Sequence, residues 1–294
     1  MTFEQNMHEY KTTIEKSLSD IIYLKSSSNS YQNNLIDSMN YSLHSGGKRL
    51  RPILLLEANR VLGGDQCKAI PFACAIELIH TYSLIHDDLP AMDNDDFRRG
   101  KPTNHLVYGE ALAILSGDAL LNLAYEVMLE SIENHRGINA SKILAESAGL
   151  RGMVGGQTVD VLTEGLQIEK NILDYIHRNK TSRLIQAALK MGATLAGGSE
   201  EEISAFSNFG FHLGMAFQIK DDILDIEGNE ALLGKPVGSD RSANKNTFPK
   251  INGIKASKFA LEKHTGEAIF NLKKIDGDTV FLKTLANRFL SRNS

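Results

Sequence analysis

The placement of proline constrains the fold of this 294-residue chain more than any other sequence feature. None of its six prolines lies between residues 103 and 235. Because proline removes a backbone donor and clashes with the preceding helical turn, a helix interior tolerates it poorly. Apolar side chains in this stretch also recur at helical spacing, as in Ile114–Met128 and Ile172–Met191. No series of alternating strands is visible, and the sequence therefore predicts an all-α fold.

The predicted helices fill most of the chain. Their ranges are 3–24, 33–45, 49–63, 67–89, 109–133, 139–160, 168–196, 200–227, 255–274 and 277–291. Glycine pairs at 63–64 and 197–198 are typical of helix ends, and residues 228–254, rich in Gly, Asn, Ser and Lys, predict a long mobile loop. Neither a repeat of fixed period nor a linker divides the chain. We therefore expect residues 1–294 to form a single helical domain.

The composition excludes several classes of protein. Apolar residues make up 42% and charged residues 23%, which is ordinary globular usage and excludes a disordered or collagen-like chain. A net charge of −4 and a pI of about 6.2 argue against non-specific nucleic-acid binding, which needs a basic face. Cys67 and Cys74 can form neither a disulfide framework nor a paired metal motif, so a reducing compartment is the simpler interpretation.

No targeting or membrane-spanning segment is predicted. The first ten residues lack the basic start and apolar run of a signal peptide. The most apolar stretch, Leu106–Leu129, is interrupted by three acidic residues and lacks the run of about eighteen apolar residues that a span needs. We therefore expect a soluble, cytoplasmic protein without a nucleic-acid partner and without stable membrane insertion.

A first aspartate cluster follows the helix end that Pro90 predicts. Residues 87–96 hold five aspartates, and Arg98 and Arg99 follow. Such charges repel unless a cation joins them, and Mg²⁺ takes carboxylate oxygens together with substrate phosphates. The glycine turn and terminal glutamate of a calcium loop are absent. The cluster therefore indicates a divalent-metal site, and a solvated acidic loop is the alternative.

A second aspartate cluster lies much later, in Gln218–Asp225. Asp221 and Asp225 are four residues apart, so a helix places both on one face, with Gln218 on the adjoining flank. Like charges at this spacing destabilise a helix unless a cation lies between them. Two such clusters in one helical protein predict a cage whose two sides hold the same metal-bound ligand.

Basic residues near the first cluster suit a phosphate group. Lys48 and Arg51 share a face if a helix begins in Gly46–Pro52, and arginine can bind phosphate in a bidentate way. His80 lies seven residues before Asp87 and hence on the same side of a helix. With the aspartate clusters, these groups favour a diphosphate ligand. Structural ion pairs, and a core role for His80, are the alternatives.

The motifs together resemble those of short-chain trans-prenyl diphosphate synthases. They are GGKRLRP (46–52), HDDLPAMDNDDFRRG (86–100), GGQTVD (155–160), KT (180–181), FQIKDDILD (217–225) and GKPVGSD (234–240). The first aspartate motif carries two additional residues, as in the bacterial farnesyl diphosphate synthase type. The resemblance implies a single bundle of about ten helices around a central cavity, usually in a homodimer. It also implies Mg²⁺-dependent head-to-tail condensation of isopentenyl diphosphate with dimethylallyl or geranyl diphosphate to farnesyl diphosphate.

The resemblance assigns roles to individual residues. The Mg²⁺ ligands would be Asp87, Asp93 and Asp221, with Asp88, Asp222 and Asp225 in supporting positions and three ions when diphosphate is bound. The allylic diphosphate would be held by Arg98, Lys180 and Lys235, and the isopentenyl diphosphate by Lys48, Arg51, His80 and Arg99. Lys245 would close over the site, and Thr181 and Gln218 would face the carbocation. The catalytic set would be Asp87, Asp93, Arg98, Lys180, Asp221 and Lys235.

Tyr82 is the candidate for setting product length. It precedes Asp87 by five residues, which on a helix is about 140° of rotation and about 7.5 Å along the axis. A ring there would reach the foot of an apolar pocket, and the resemblance associates an aromatic residue at this position with a fifteen-carbon product. A core aromatic is the alternative. Two departures from the family pattern are Ser182-Arg183 after the Lys-Thr pair and an additional Arg241.

Four other functions stay open at this point. A geranylgeranyl diphosphate synthase would use the same motifs with a longer pocket. A terpene cyclase would not need Lys48, Arg51 and His80 for a second diphosphate. A metal phosphohydrolase using His86 and Asp87 would need further histidine ligands, and none is suitably placed in the sequence. A non-catalytic synthase subunit should have lost aspartates, and this chain keeps both clusters.

Overall fold

The computed structural model describes residues 2–25, 30–227 and 246–291, and these residues are almost entirely helical. Their fourteen α-helices are α1 Phe3–Lys25, α2 Asn33–Leu43, α3 Leu50–Val61, α4 Gln66–Asp87, α5 Asn104–Tyr108, α6 Glu110–Glu130, α7 His135–Ala148, α8 Met153–Leu162, α9 Lys170–Ile176, α10 Arg183–Ala196, α11 Glu200–Glu227, α12 Phe248–Asn252, α13 Ile254–Leu272 and α14 Val280–Ser291. A 3₁₀ turn covers Ser30–Gln32 and a π-helical turn covers His177–Ser182. The all-α prediction is confirmed.

Glycine breaks one helix that the sequence predicts as continuous. The predicted helix 139–160 is two helices, α7 and α8, because the chain turns at 149–152, where the amide of Gly152 donates to the carbonyl of Gly149 (2.9 Å). The predicted helix 168–196 runs through α9, the π turn and α10. Gly197 ends α10 in the left-handed conformation, as its glycine pair predicts.

A small hairpin departs from the purely helical prediction. Phe97–Arg98 pairs antiparallel with Lys101–Pro102, with Arg98 opposite Lys101. Arg99 and Gly100 form its two-residue turn with φ of 54° and 76°, and two positive φ angles in succession are what a tight hairpin turn needs. Sequence reasoning missed this turn because arginine rarely adopts positive φ.

The predicted mobile loop 228–254 is shorter at its C-terminal end. Residues 248–252 form helix α12 and α13 begins at Ile254, because Phe248 packs into an apolar cluster with Leu173, Ile219 and Ile223. Residues 228–245 lie outside the described residues. The prediction that they form a loop therefore stays a prediction.

The chain divides into two compact units. The first comprises residues 1–56 and 65–141, and its central helix α4 packs most extensively against α6. The Asp65 carboxylate accepts the amide of Cys67 (2.9 Å) and so caps the start of α4. Pro90 follows the end of α4, since the residue before a proline avoids helical geometry. The end of α4 therefore carries Asp87 and Asp88.

The second unit comprises residues 57–64 and 142–294. Its long helix α11 packs against α13 on one side and α10 on another. Ser199 and Glu202 form a capping box at the start of α11, each side chain accepting the other's amide (3.3 and 2.8 Å). The C-terminal turns of α11 carry the second aspartate cluster. The prediction of one domain over residues 1–294 stays a prediction.

Within the part of the chain that the structure describes, two helices are long and apolar enough to cross a membrane by length and composition alone. The sequence analysis did not predict this, because neither helix is an unbroken apolar run. In α4, 72% of the most apolar stretch is buried in the protein, as in a core helix, and in α6 44% is buried. Helix α6 contains four acidic residues, but its most apolar 18-residue stretch still has a mean hydropathy of 1.4.

Candidate active site

The first aspartate cluster is folded back onto the end of α4. The amide of Asp93 donates to the carbonyl of Asp87 (2.8 Å), and the amide of Met92 donates to the carbonyl of Leu89 (2.8 Å). The two additional residues of the motif are thus absorbed in a tight turn. This turn brings the backbones of Asp87 and Asp93, the two predicted metal ligands of this unit, into direct contact.

Asp88 lies behind these two residues and is paired with Arg98. The Arg98 Nε atom donates to both oxygens of the buried Asp88 carboxylate (2.7 and 2.9 Å), and Nη2 lies 2.6 Å from Oδ1. Burial raises the pKa of Asp88, and Arg98 opposes that shift. The carboxylate therefore holds the guanidinium in one orientation. The predicted roles of Asp88 in metal binding and of Arg98 in diphosphate binding stay predictions.

His86 makes a structural contact with α6. Its Nε2 donates to the carbonyl of Ile114 (3.1 Å). The ring fits there because residue 117 is glycine, since a Cβ atom at Gly117 would lie 2.0 Å from Nε2. One ring nitrogen of His86 is thus engaged with the backbone, which counts against a phosphohydrolase that uses the His86-Asp87 pair.

Arg49 is a site residue that the sequence analysis did not select. Its guanidinium is buried, pairs with buried Glu77 of α4 (Nη1 to Oε1, 2.8 Å) and donates to the carbonyl of Leu43 (2.5 Å). Its φ is 49°, so the segment before α3 is held in a conformation that non-glycine residues rarely adopt. Arg49 therefore fixes the course of the Gly46–Pro52 motif.

The same motif brings Arg51 close to other cations of the first unit. Burial lowers the pKa of Arg51 to about 10, and its buried Nε has no hydrogen-bond partner among the described residues. Burial also lowers the pKa of His80 well below its usual value, and four arginines act in the same direction, namely Arg51, Arg99, Arg98 and Arg49. His80 is therefore neutral at pH 7 and lies in a strongly positive field. This arginine cluster has the charge and the unused donor that an anion requires.

Lys48 is placed differently from the prediction. Helix α3 begins at Leu50, two residues after Lys48, so Lys48 and Arg51 do not share a helical face. Lys48 is exposed. The reason is the backbone of Gly46, Gly47 and Arg49, whose φ values of 95°, 122° and 49° are incompatible with a right-handed helix before Leu50.

Binding of inorganic diphosphate is expected to raise the pKa of His80. An anion beside the imidazole stabilises its protonated form, which the surrounding arginines now disfavour. The measurement is an NMR titration of the ring protons with and without saturating diphosphate, with the His80→Gln variant to assign the resonance. An unchanged His80 titration under saturating diphosphate would place the anion elsewhere.

Helix α11 presents the second aspartate cluster as predicted, with Asp221 and Asp225 one turn apart. Asp221 is half-buried and Asp225 is buried. Among residues 2–25, 30–227 and 246–291, no group of three or more His, Cys, Asp or Glu residues is arranged to hold a metal ion by itself. The two carboxylates of Asp221 and Asp225, one turn apart on α11, fit Mg²⁺, which is commonly held by one or two carboxylates plus substrate phosphates.

Asp222 is bound to protein groups through both of its oxygens. Its Oδ1 accepts the side-chain amide of Gln218 (2.8 Å), and its Oδ2 accepts the backbone amide of Phe248 (2.7 Å). His177 Nε2 lies 3.4 Å from Oδ2. Asp222 thus ties α11 to the start of α12, and its predicted supporting role in metal binding stays a prediction.

The π turn presents Lys180 and Thr181. Lys180 pairs with Asp160 of α8 (2.6 Å), and Thr181 Oγ1 donates to Gln218 Oε1 (2.6 Å). A Cβ atom at Gly156 would lie 2.4 Å from the backbone nitrogen of Lys180, so only glycine lets α8 approach this turn so closely. A π-helical turn of this kind often occurs at a functional site.

The structure accounts for one of the two departures from the family pattern. Ser182 is buried, and its hydroxyl donates to the carbonyl of Phe211 (2.8 Å), so this side chain is satisfied where the family has glycine. Arg183 donates to Gln186 (3.3 Å). Lys235, Lys245, Arg241 and the motif 234–240 lie outside the described residues.

Tyr82 is buried on α4, the helix that ends in the first aspartate cluster. Burial raises its pKa to about 12, and Tyr125 and Asp87 act in the same direction. Its ring packs edge-to-face on His86, with 5.7 Å between ring centroids. Both a core role and a role in limiting chain length are compatible with this position, and the chain-length role stays a prediction.

Known proteins agree with these motifs and this fold. The sequence matches the polyprenyl synthetase family over residues 32–276. It is 45% identical to farnesyl diphosphate synthase of Geobacillus stearothermophilus, over 100% of this chain and 99% of that protein. It is 44% identical to geranylgeranyl diphosphate synthase of Cyanophora paradoxa, over 88% of each. A structure of geranyltransferase from Helicobacter pylori, complexed with magnesium and isoprenyl diphosphate, is 32% identical with a TM-score of 0.83, covering 97% of this chain and 96% of that chain. The chain therefore belongs to the polyprenyl synthetase family, as its motifs predict.

Proposed function

We propose that this chain is a prenyltransferase that makes farnesyl diphosphate by adding isopentenyl diphosphate to dimethylallyl and geranyl diphosphate. The observation that carries the proposal is the arginine cluster around His80, in a chain that also keeps both aspartate clusters. Such a chain has groups for two diphosphates, whereas a terpene cyclase needs only one. Farnesyl diphosphate is favoured over geranylgeranyl diphosphate by the 45% identity to a farnesyl diphosphate synthase over the full chain.

We propose that both aspartate clusters hold Mg²⁺ for the allylic diphosphate. The ligands would be Asp87, Asp93 and Asp221. Bound Mg²⁺ acts as a Lewis acid that stabilises negative charge on the departing diphosphate. A magnesium-bound relative supports this choice of ion. Three ions with diphosphate bound remain the expected number.

The cationic side chains would bind and orient the two diphosphates. Arg98 and Lys180 would bind the allylic diphosphate, each kept in place by its own carboxylate partner, and Lys235 and Lys245 would assist. Lys48, Arg51, His80 and Arg99 would hold isopentenyl diphosphate so that its double bond meets the allylic cation, with a gain from proximity. The residues near the arginine cluster include no strong base, so the departing diphosphate would accept the proton.

One assay tests the proposed function. Purified protein is incubated with Mg²⁺, radiolabelled isopentenyl diphosphate and either dimethylallyl or geranyl diphosphate, and the products are sized by chromatography. We expect labelled fifteen-carbon diphosphate from both allylic substrates. A twenty-carbon main product would favour the geranylgeranyl alternative. Conversion of an allylic diphosphate alone to a hydrocarbon would favour a cyclase.

The Tyr82→Ala variant is expected to shift the product from farnesyl to geranylgeranyl or longer diphosphates. Removing the ring opens apolar space below the first aspartate cluster, and each methylene buried there gains about 0.8 kcal/mol. The measurement is the chain-length distribution at matched conversion, with Tyr41→Ala, a half-buried tyrosine of the same unit, as control. An unchanged distribution in an active Tyr82→Ala protein would mean that Tyr82 is only a core residue.

We propose further that the protein is a cytoplasmic homodimer. The stretch 106–115, in α5 and at the start of α6, exposes four large apolar side chains, Leu106, Val107, Ile114 and Leu115, with exposed fractions of 44–55%. A second copy of the chain would cover them. We expect a dimer by light scattering, a monomer after Leu115→Glu, and no binding to lipid vesicles. Vesicle binding by the wild type would instead point to the membrane as the partner of α6.

A further inference from the structure

A chain of contacts in the second unit runs from a buried histidine to the hydroxyl of Thr181. His177 opens the π turn, and its Nε2 lies 3.4 Å from Asp222 Oδ2. Asp222 Oδ1 accepts Gln218 Nε2 (2.8 Å), and Gln218 Oε1 accepts the Thr181 hydroxyl (2.6 Å). The four side chains therefore form one continuous relay.

The chemistry of the groups fixes the direction of the two hydrogen bonds that join Asp222, Gln218 and Thr181. An ionised carboxylate can only accept, so the NH₂ end of Gln218 must face Asp222. The oxygen of Gln218 then faces Thr181, and the Thr181 hydroxyl must donate to it. The hydroxyl proton is therefore used in the hydrogen bond to Gln218, and the lone pairs of the Thr181 oxygen point away from Gln218.

His177 supports the base of the relay. The ring is buried and stacks on Phe248 with an interplanar angle of 23° and 6.2 Å between centroids. The amide of Phe248 donates to the same oxygen of Asp222 that faces His177 Nε2. Because a carboxylate oxygen can only accept, the ring nitrogen that faces it, Nε2, carries the N–H. The His177 Nδ1 has no hydrogen-bond partner among the described residues, which favours the tautomer with the proton on Nε2.

We propose that His177 is a positioning residue of the prenyl transfer, which holds Asp222 so that the relay turns the lone pairs of Thr181 toward the allylic cation. This inference rests on the proposed function, in which Thr181 faces the cation. A hydroxyl that presents its oxygen stabilises positive charge, and one that presents its proton opposes it. His177 acts only through Asp222 and Gln218, and it touches neither substrate.

Three variants test the inference in the full-length protein. His177→Phe keeps an aromatic ring to stack on Phe248 and removes the N–H. His177→Gln places an amide N–H near the position of Nε2. His264→Phe is the matched control, because it replaces another partly buried histidine of the same unit, one that pairs with His212 (3.0 Å) outside the relay. The readouts are kcat, the KM for isopentenyl diphosphate, and hydrogen exchange of the segment 246–252 in substrate-free protein.

We expect His177→Phe to lower kcat about tenfold or more, because Asp222 loses the N–H that faces its Oδ2 and no longer holds Gln218 and Thr181 in one orientation. The KM for isopentenyl diphosphate should stay within about twofold, since its proposed ligands do not belong to the relay. Exchange at the Phe248 amide should become faster, and His177→Gln should restore kcat to within about threefold. His264→Phe should leave kcat and this exchange unchanged.

The other outcomes separate the inference from the proposed function. Unchanged kcat and exchange in His177→Phe would overturn the inference. So would a loss of kcat that is the same in His177→Phe and His177→Gln and comes with the same drop in melting temperature in both, since a purely structural role predicts that result. If His177→Phe does not fold, His177→Leu takes its place as the variant without an N–H. A lowered kcat and faster Phe248 exchange in His177→Leu, both restored in His177→Gln, support the inference, and wild-type values in His177→Leu overturn it. Wild-type protein without prenyltransferase activity would end the proposed function and the inference with it, while the exchange data would still report whether His177 holds Phe248.

Discussion

Replacing Asp87 or Asp221 by alanine is expected to lower turnover by several orders of magnitude while the fold stays intact. Each carboxylate is a proposed Mg²⁺ ligand, and without the ion the negative charge on the departing diphosphate loses its main stabilisation. Neither side chain belongs to the apolar core. The measurement is kcat at saturating substrates and Mg²⁺, together with the melting temperature in the absence of Mg²⁺.

The melting temperature distinguishes this role from a structural one. Removing one carboxylate from a cluster of like charges relieves repulsion, so the metal-free variants should melt at the wild-type temperature or above it. Asp118→Ala, which removes an exposed aspartate of α6, is the control and should keep full activity. Active Asp87 or Asp221 variants with a much lower melting temperature would contradict the metal-ligand role.

Replacing Glu77 by glutamine is expected to destabilise the protein by about 3–5 kcal/mol, the cost of leaving one member of a buried ion pair without its partner. The side chains of Arg49 and Glu77 are only 1% and 3% exposed, and Arg51 and Arg99 also feel the charge of Glu77. The measurement is urea unfolding followed by circular dichroism. Glu133→Gln, which breaks a pair between exposed Lys68 and Glu133, should change stability too little to resolve.

A double variant tests whether the lost stability comes from the pair itself. Arg49→Met combined with Glu77→Met removes both members of the pair, so neither is left buried without the other. We expect it to be more stable than either single variant. Additive losses in the double variant would show that Arg49 and Glu77 act independently.

Much of the fold and of the candidate site could be predicted from the sequence. Helices α4 and α11 begin and end within about two residues of their predicted bounds, because proline, glycine and periodicity are local signals. The two aspartate clusters were selected from residue type and spacing, whereas the grouping of Lys48, Arg51, His80 and Arg99 came from the resemblance to the family. The break before α8 and the turn at Arg99 were missed. A glycine can lie inside a helix or end one, and a positive φ angle at a residue other than glycine cannot be predicted from the neighbouring residues.

The sequence by itself determined that the chain is helical, which carboxylate and cationic side chains it carries, and the family to which it belongs. Which of those groups carry structure and which stay available for a ligand was decided by the tertiary structure. Arg49 meets Glu77 and His177 meets Asp222 only in the folded chain. Burial and hydrogen-bond partners come from residues distant in sequence. They decide whether a charged side chain is already paired within the protein, and whether a hydroxyl presents its oxygen or its proton to a ligand. Residue type and spacing contain neither of these quantities.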